Sequence, residues 1–354
     1  MQWYNIEIFT PDLSYRSSNQ TTETEVDIDY LAISNSKVVL PDIRASEGDY
    51  IRISGHGSRH IGIVTGCTDS DKGYEIQFKP MLALLDVDVH MTQDGLKTSL
   101  EQWLADIMNV TYRDSDDEKQ NITGFEAAAG SQTQDAILDF DGNIGNIYQM
   151  ASMAFLRYGV VVDFDIDLKQ KRLQAMVEKV TAERKVIESD MLNILSATFV
   201  IKQADQTVNK MVIYNDADES QMATFYLLGD GTISEDVNAE GRLSPVVFST
   251  EYVTYEEPEK PKEDAKTFHD IAYERAYSRM SLPEYNNLIE IEVMNDDGLV
   301  QPQKLQIGQQ ATIIRNNTAY QTMLTGKKVS DTTILVFGAV RLELTKKLKR
   351  RITS

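Results

Sequence analysis

The chain has 354 residues, 42% of them hydrophobic, one cysteine and a formal net charge of −20. That length supports full cores in two or three domains. One cysteine excludes an internal disulfide and argues against a thiolate metal cluster, and the acidic balance argues against a reader of nucleic-acid backbones, which needs lysine and arginine to displace counterions.

No apolar run approaches the roughly 20 residues of a membrane-spanning helix. The opening residues, MQWYNIEIFTPDLSY, have neither the basic nor the apolar region of a secretory signal, so synthesis in a cytoplasm is expected. Residues 4–9 (YNIEIF) and 24–31 (TEVDIDYL) alternate apolar and polar, the period of half-buried strands. After a turn-rich stretch, Tyr50–Ile53 and His60–Val64 read as strands joined by the loop Gly55–Ser58, and Tyr74–Phe78 as a third strand. This spacing favours an antiparallel barrel or sandwich.

Residues 94–109 predict a helix with Leu96, Leu100, Trp103, Leu104 and Ile107 on one face. A second helix is predicted over 143–158, with Ile144, Ile147, Met150, Ala151, Ala154 and Phe155 as its buried stripe and Gly159 as its left-handed stop. Val160–Ile166 and Arg172–Val180 then form a hairpin packed on that helix. Strand patterns resume with ATFVIKQ, NKMVIYN and MATFYLLGDG, the last carrying an Asp-Gly turn signal. An acidic, prolyl linker at 256–262 leads into a helix over 263–280, then the strand Leu288–Met294.

One stretch occurs twice at a fixed offset. GDYIRISGHGSRHIGIVTG (48–66) aligns without a gap on GQQATIIRNNTAYQTMLTG (308–326), pairing Gly48 with Gly308, Ile53 with Ile313, and Thr65-Gly66 with Thr325-Gly326. The register continues through Ser70-Asp71 and Ser330-Asp331 to Leu82 and Leu84, which meet Leu342 and Leu344 as one alternating strand face. Each copy reads strand, polar loop, strand, with glycines where turns need positive φ or close backbone approach. A homologous second module needs counterparts of strand 24–31, and the candidates are 198–215 and 288–294, which makes that module discontinuous.

No serine-hydrolase elbow, zinc-protease motif or phosphate loop is present, so no catalytic or cofactor-binding residue is assigned. His56 and His60 flank the loop GHGSRH and read as a polar turn rather than a metal or proton-transfer site. Cys67 has no activating base beside it and reads as structural. Asp163, Asp165 and Asp167 alternate along one strand and share a face. They are the one candidate metal or carboxylate-pair site, set against a solvated strand face that also discourages edge pairing. Asp139 and Asp141 in DFDGN lack the rest of a calcium loop. The last residues carry Lys346, Lys347, Lys349, Arg350 and Arg351, a candidate docking tail for an acidic partner or a solvated terminus.

The ordered set GDYIRI…IGIVTG…YEIQFKPMLALLDVDV, FLRYGVVVDFDID, NKMVIYND…TFYLLGDGTISE, LIEIEV and IGQQATI…YQTMLTG…VRLELTKKL resembles the phage tail baseplate hub proteins, in particular prophage tail proteins and the structural N-terminal part of tail-associated lysins. The resemblance implies a homotrimer similar to the myophage hub, in which two related barrels per subunit make a pseudo-sixfold ring beneath the hexameric tail tube. It implies the distal tail protein, tube and tape measure as neighbours, a downstream tip or receptor-binding protein, and a place at the virion tail tip. The acidic balance suits a lumen through which DNA slides. Relatives often continue into a lytic or host-binding region, whereas this chain stops in KKLKRR, so that region is expected on another polypeptide or beyond this boundary. Two other classes compete: a cell-wall hydrolase using the Asp163/Asp165/Asp167 face, and a host-glycan-binding tail adhesin.

The expected fold is α+β and multidomain, with two related antiparallel β-barrel modules and α+β domains between them. Its parts are a first module over 1–92, an α+β domain over 93–196, a second, discontinuous module over 197–216 and 286–348, an inserted segment over 217–285 and a basic tail over 349–354.

Overall fold

A computed structural model describes residues 3–42, 44–55, 57–71, 73–90, 98–134, 136, 144–200, 208–229, 231–257, 266–280, 287–295 and 298–338. The first module contains β1 (Tyr4–Phe9), β2 (Tyr15–Thr21), β3 (Thr24–Asp29), β4 (Ser36–Leu40), β5 (Tyr50–Gly55), β6 (Ser58–Ser70) and β7 (Gly73–Pro80). Period-two alternation places Ile6 and Ile8 of β1, Val38 and Leu40 of β4, Ile51 and Ile53 of β5, and Ile76 and Phe78 of β7 in one core.

After Pro80 the chain turns into a short 3₁₀ segment, Met81–Leu85. Leu82 is buried there, so the strand face expected for Leu82 and Leu84 is a helical turn instead. Proline has no N–H for a ladder, and the strand ends at it. The middle region follows as β8 (Asp88–His90), α1 (Leu100–Tyr112), β9 (Phe125–Ala129), β10 (Ile144–Asn146), α2 (Ile147–Tyr158), β11 (Val160–Asp167) and β12 (Arg172–Lys179).

Of the helix predicted over 94–109, α1 begins at Leu100, where the Ser99 hydroxyl accepts the Gln102 N–H, and it runs on to Tyr112; Leu96 lies outside the described residues. Helix α2 starts later than predicted, at Ile147, because Ile144–Asn146 pairs with β8 and Asn146 caps the helix. It ends at Gly159, whose φ of 67° supplies the left-handed cap. β11 and β12 form the predicted hairpin, and β9 adds to β12 in parallel. The carboxylate of Glu101, fully buried on α1, accepts the Thr133 N–H and the hydroxyls of Ser131 and Thr133, which pins the loop after β9.

The chain continues through β13 (Lys185–Glu188), β14 (Ile194–Val200), β15 (Lys210–Asn215), β16 (Met222–Leu227), β17 (Ile233–Ser234), β18 (Phe248–Val253) and α3 (Phe268–Arg279). It then returns as β19 (Leu288–Met294), β20 (Gln310–Arg315), β21 (Thr318–Val329) and β22 (Thr332–Gly338). Residues 200–287 belong to a compact unit of their own, a four-stranded sheet in the order β17-β16-β15-β18 whose core residues Met211, Ile213, Phe225 and Val253 pack with Ala272 and Ala276 of α3. Helix α3 starts at Phe268, set by a capping box between Thr267 and Asp270.

The remaining strands form one sheet along the path β14-β19-β22-β21-β3-β4-β7-β6-β5-β1-β2, with β20 pairing β21 and β13 pairing β20. Two expectations change here. Of the two strand patterns placed in the second module, Ile194–Val200 joins this sheet but Lys210–Asn215 lies in the four-stranded one, because β15 finds its partners in β16 and β18. The modules are also not purely antiparallel, since β13 and β20 run parallel. Among the described residues the hydrogen-bonded path is open, and it passes from one module to the other where β21 pairs antiparallel with β3, from Gly326↔Asp29 to Val329↔Val26.

Candidate functional site

The two copies of the repeat have the same backbone. β5-β6-β7 and β20-β21-β22 are antiparallel three-strand units, and each second strand carries a bulge at the same place, Val64/Gly66 and Leu324/Gly326. Gly48 and Gly308 have φ of 87° and 88°. The Gly48 N–H donates to the Val64 carbonyl at 2.9 Å and the Gly308 N–H to the Leu324 carbonyl at 2.8 Å. Val64 and Leu324 return the bond to Asp49 and Gln309 at 2.8 and 3.0 Å. The side chain of Asp49 accepts the Ser46 N–H, and that of Gln309 accepts the Gln306 N–H. Ile53 and Ile313 are both fully buried.

The copies differ at their edges. Thr325 is buried, its hydroxyl donating to the carbonyls of Val336 and Gly338 and its own carbonyl accepting the Tyr30 N–H, whereas Thr65 is exposed. Leu342 and Leu344 lie outside the described residues, as do His56, Asp139, Asp141 and the basic stretch Lys346, Lys347, Lys349, Arg350 and Arg351.

A cleft of about 490 Å³ opens where the two modules meet the β11–β12 hairpin, lined by Asp27, Arg59, His60, Asp163, Glu178 and Lys327 among others. Lys327 directs its ammonium at the carbonyls of Pro302 and Leu305. Burial lowers its pKa to about 8. His60 is lowered to about 4, first by burial and then by the charge of Lys327, and its Nε2 is sealed from solvent without a hydrogen-bond partner. The sequence offers no sign of either group's burial, since the Gly-Lys-Lys of β21 and the loop histidine both read as solvent-facing. Cys67 donates its thiol to the Ala45 carbonyl and packs against the first core, and burial pushes its pKa up.

The three aspartates share a strand face but not a task. Asp165 pairs with Arg59, while the Asp167 carboxylate accepts the N–H groups of Lys169 and Gln170 in the hairpin turn. The tip of Asp163 reaches solvent, yet the protein crowded around it raises its pKa by desolvation, partly offset by the Phe164 N–H and by Arg59. Among the described residues no three His, Cys, Asp or Glu side chains gather as a metal site, and no helix is long and apolar enough to cross a membrane.

No protein-family model and no curated protein matches this sequence. Solved structures do match it in fold. The 43 kDa tail protein of prophage MuSo2 from Shewanella oneidensis aligns over 94% of this chain and 98% of its own at a TM-score of 0.53 and 14% identity. A tail protein from Neisseria meningitidis MC58 aligns over 94% and 96% at 0.52 and 11%. Prophage tail protein gp18 from Listeria monocytogenes EGD-e aligns over 99% and 100% at 0.50 and 11%. End to end, this chain has the fold of the phage and prophage tail proteins, the group whose baseplate hubs its motifs resemble.

Proposed function

We propose that the protein is a structural, non-enzymatic hub of a phage or prophage tail tip. It assembles as a homotrimer whose two modules per chain alternate around a pseudo-sixfold ring, matching the hexameric tube and distal tail protein above to a threefold tip below. The observation that carries this reading is the duplication itself: two modules with the same turn, bulge and glycine geometry in one gapless register. Three such chains present six near-equivalent positions, and closed rings arise from head-to-tail contacts that close on rotation. The net charge of −20 suits a passage that repels DNA and lets it move. The likeness to tail proteins over nearly the whole chain supports the same role.

Analytical ultracentrifugation and native mass spectrometry of the full chain test it. The expected species is a trimer, which forms a ring under the electron microscope with the distal tail protein. A monomer at every concentration, with no ring in the presence of tail partners, removes the proposal.

A further inference from the structure

The joint between the modules inside one chain points to a joint between chains. β3 lies along the edge of β21, where Gly326, Lys327, Lys328 and Val329 face Asp29, Ile28, Asp27 and Val26. The register of the repeat maps that edge onto Gly66, Cys67, Thr68 and Asp69 of β6. There β6 is laddered to β7 on one side only, its ladder to β5 ending at Ile63, and among the described residues no strand covers the other side. Exposure follows: Val329 is 7% exposed and Thr325 2%, while their counterparts Asp69 and Thr65 are exposed.

The loop leading into each copy does not account for the difference. Cys67 bonds the Ala45 carbonyl. Lys327, the counterpart of Cys67 in the second copy, bonds the carbonyl of Leu305, the counterpart of Ala45. The same lead-in therefore runs beside both edges, and it leaves room for β3 at the second.

A strand with the right position has an unladdered edge among the described residues. β3 reaches its module through β4 and β7, and β14 reaches the other through β19 and β22, so β14 holds in the second module the place β3 holds in the first. Among the described residues it ends the sheet path with one edge unladdered, and Leu195 and Val200 are about half exposed, at 47% and 48%. Two bare strand edges on one chain are templates for pairing, and they are not paired with each other.

We propose that β14 of one copy adds antiparallel to the Thr65–Asp69 edge of β6 in the next copy, repeating between chains the seam that β3 and β21 form within one. This rests on the trimeric reading above and names its contact: seams within and between chains alternate around the ring.

Backbone alternation selects the test. The Tyr30 N–H donates to the Thr325 carbonyl, so Thr325, Lys327 and Val329 aim their backbone groups at β3, and Thr65, Cys67 and Asp69 aim theirs at the bare edge. Asp69→Pro removes an N–H from that edge and none from the β7 ladder. It is expected to abolish the trimer while circular dichroism keeps the wild-type secondary structure, and Asp69→Ala, which keeps the N–H, is expected to assemble. Independently, Thr68→Cys combined with Ser196→Cys or Thr198→Cys, in a Cys67→Ala background, is expected to give a disulfide-linked trimer on oxidation. A trimer by mass that neither cross-links nor responds to Asp69→Pro overturns the seam and leaves the trimer standing. A chain that stays monomeric at its highest soluble concentration overturns both.

Discussion

Gly48 and Gly308 occupy the same backbone conformation in different surroundings, so alanine at each position separates conformational strain from packing. Both have φ near +87°, a region L-residues rarely adopt, and the strain of placing a side chain there is about 1–3 kcal/mol. A Cβ on Gly48 meets nothing within 4 Å, so strain is the whole cost. A Cβ on Gly308 comes to 2.9 Å from Val180 Cγ2, 3.3 Å from Phe155 and 3.4 Å from Val161, inside the contact between the second module and the α2–β11 region. Overpacking of that kind adds about 1–3 kcal/mol. Gly308→Ala is therefore expected to destabilise the chain by at least ~1 kcal/mol more than Gly48→Ala, a difference set by the overpacking range. Urea unfolding followed by tryptophan fluorescence, with Trp103 buried on α1, measures both. Equal losses for the two variants refute the reasoning, because only strain, and not the tertiary neighbours, would then distinguish a repeat glycine from alanine.

His60 makes a pH prediction. Its folded pKa of about 4 lies below the ordinary 6.5, so the neutral form is favoured on folding, and stability present above pH 6.5 is lost as pH falls toward 4. Between pH 7.5 and 4.5 the loss is about 2–3 kcal/mol from this group. His60→Leu should flatten that part of the stability–pH curve, and the His60 ring resonance should titrate near pH 4; parallel curves, or a midpoint above 6, contradict it. Glu101→Ala removes the acceptor of three hydrogen bonds from the Ser131–Thr133 loop and should cost about 2–4 kcal/mol, with faster amide exchange at Thr133 as the local readout. Unchanged exchange there would mean the loop is held by something else.

The features legible in the chain are those whose physical cause is local. A turn at positive φ calls for glycine, so Gly48, Gly308 and Gly159 mark their own positions. Alternation announces β1 and β3, and the gapless register of the repeat survives because turn, bulge and strand lengths must all be kept for the module to close its own ladders. Helix starts were less legible. Ile144 is apolar and in phase with α2, but it pairs with β8 and stands 64% exposed, a choice made by a strand far away in sequence.

Pairing is where the sequence runs out. A strand's own pattern states which face is buried and says nothing of which strand lies at its edge. Ile194–Val200 and Lys210–Asn215 look alike in sequence yet enter different sheets. Lys327 reads as solvent-facing until β3, from the far end of the chain, covers its strand and the carbonyls of Pro302 and Leu305 receive its ammonium. By itself, then, the sequence determined that one β-module occurs twice, because turn and bulge geometry are written in nearby residues. Only the tertiary structure decided that the copies are unequal, one edge of the module covered and the other, among the described residues, bare, because edge pairing is a contact between distant segments that no local pattern encodes.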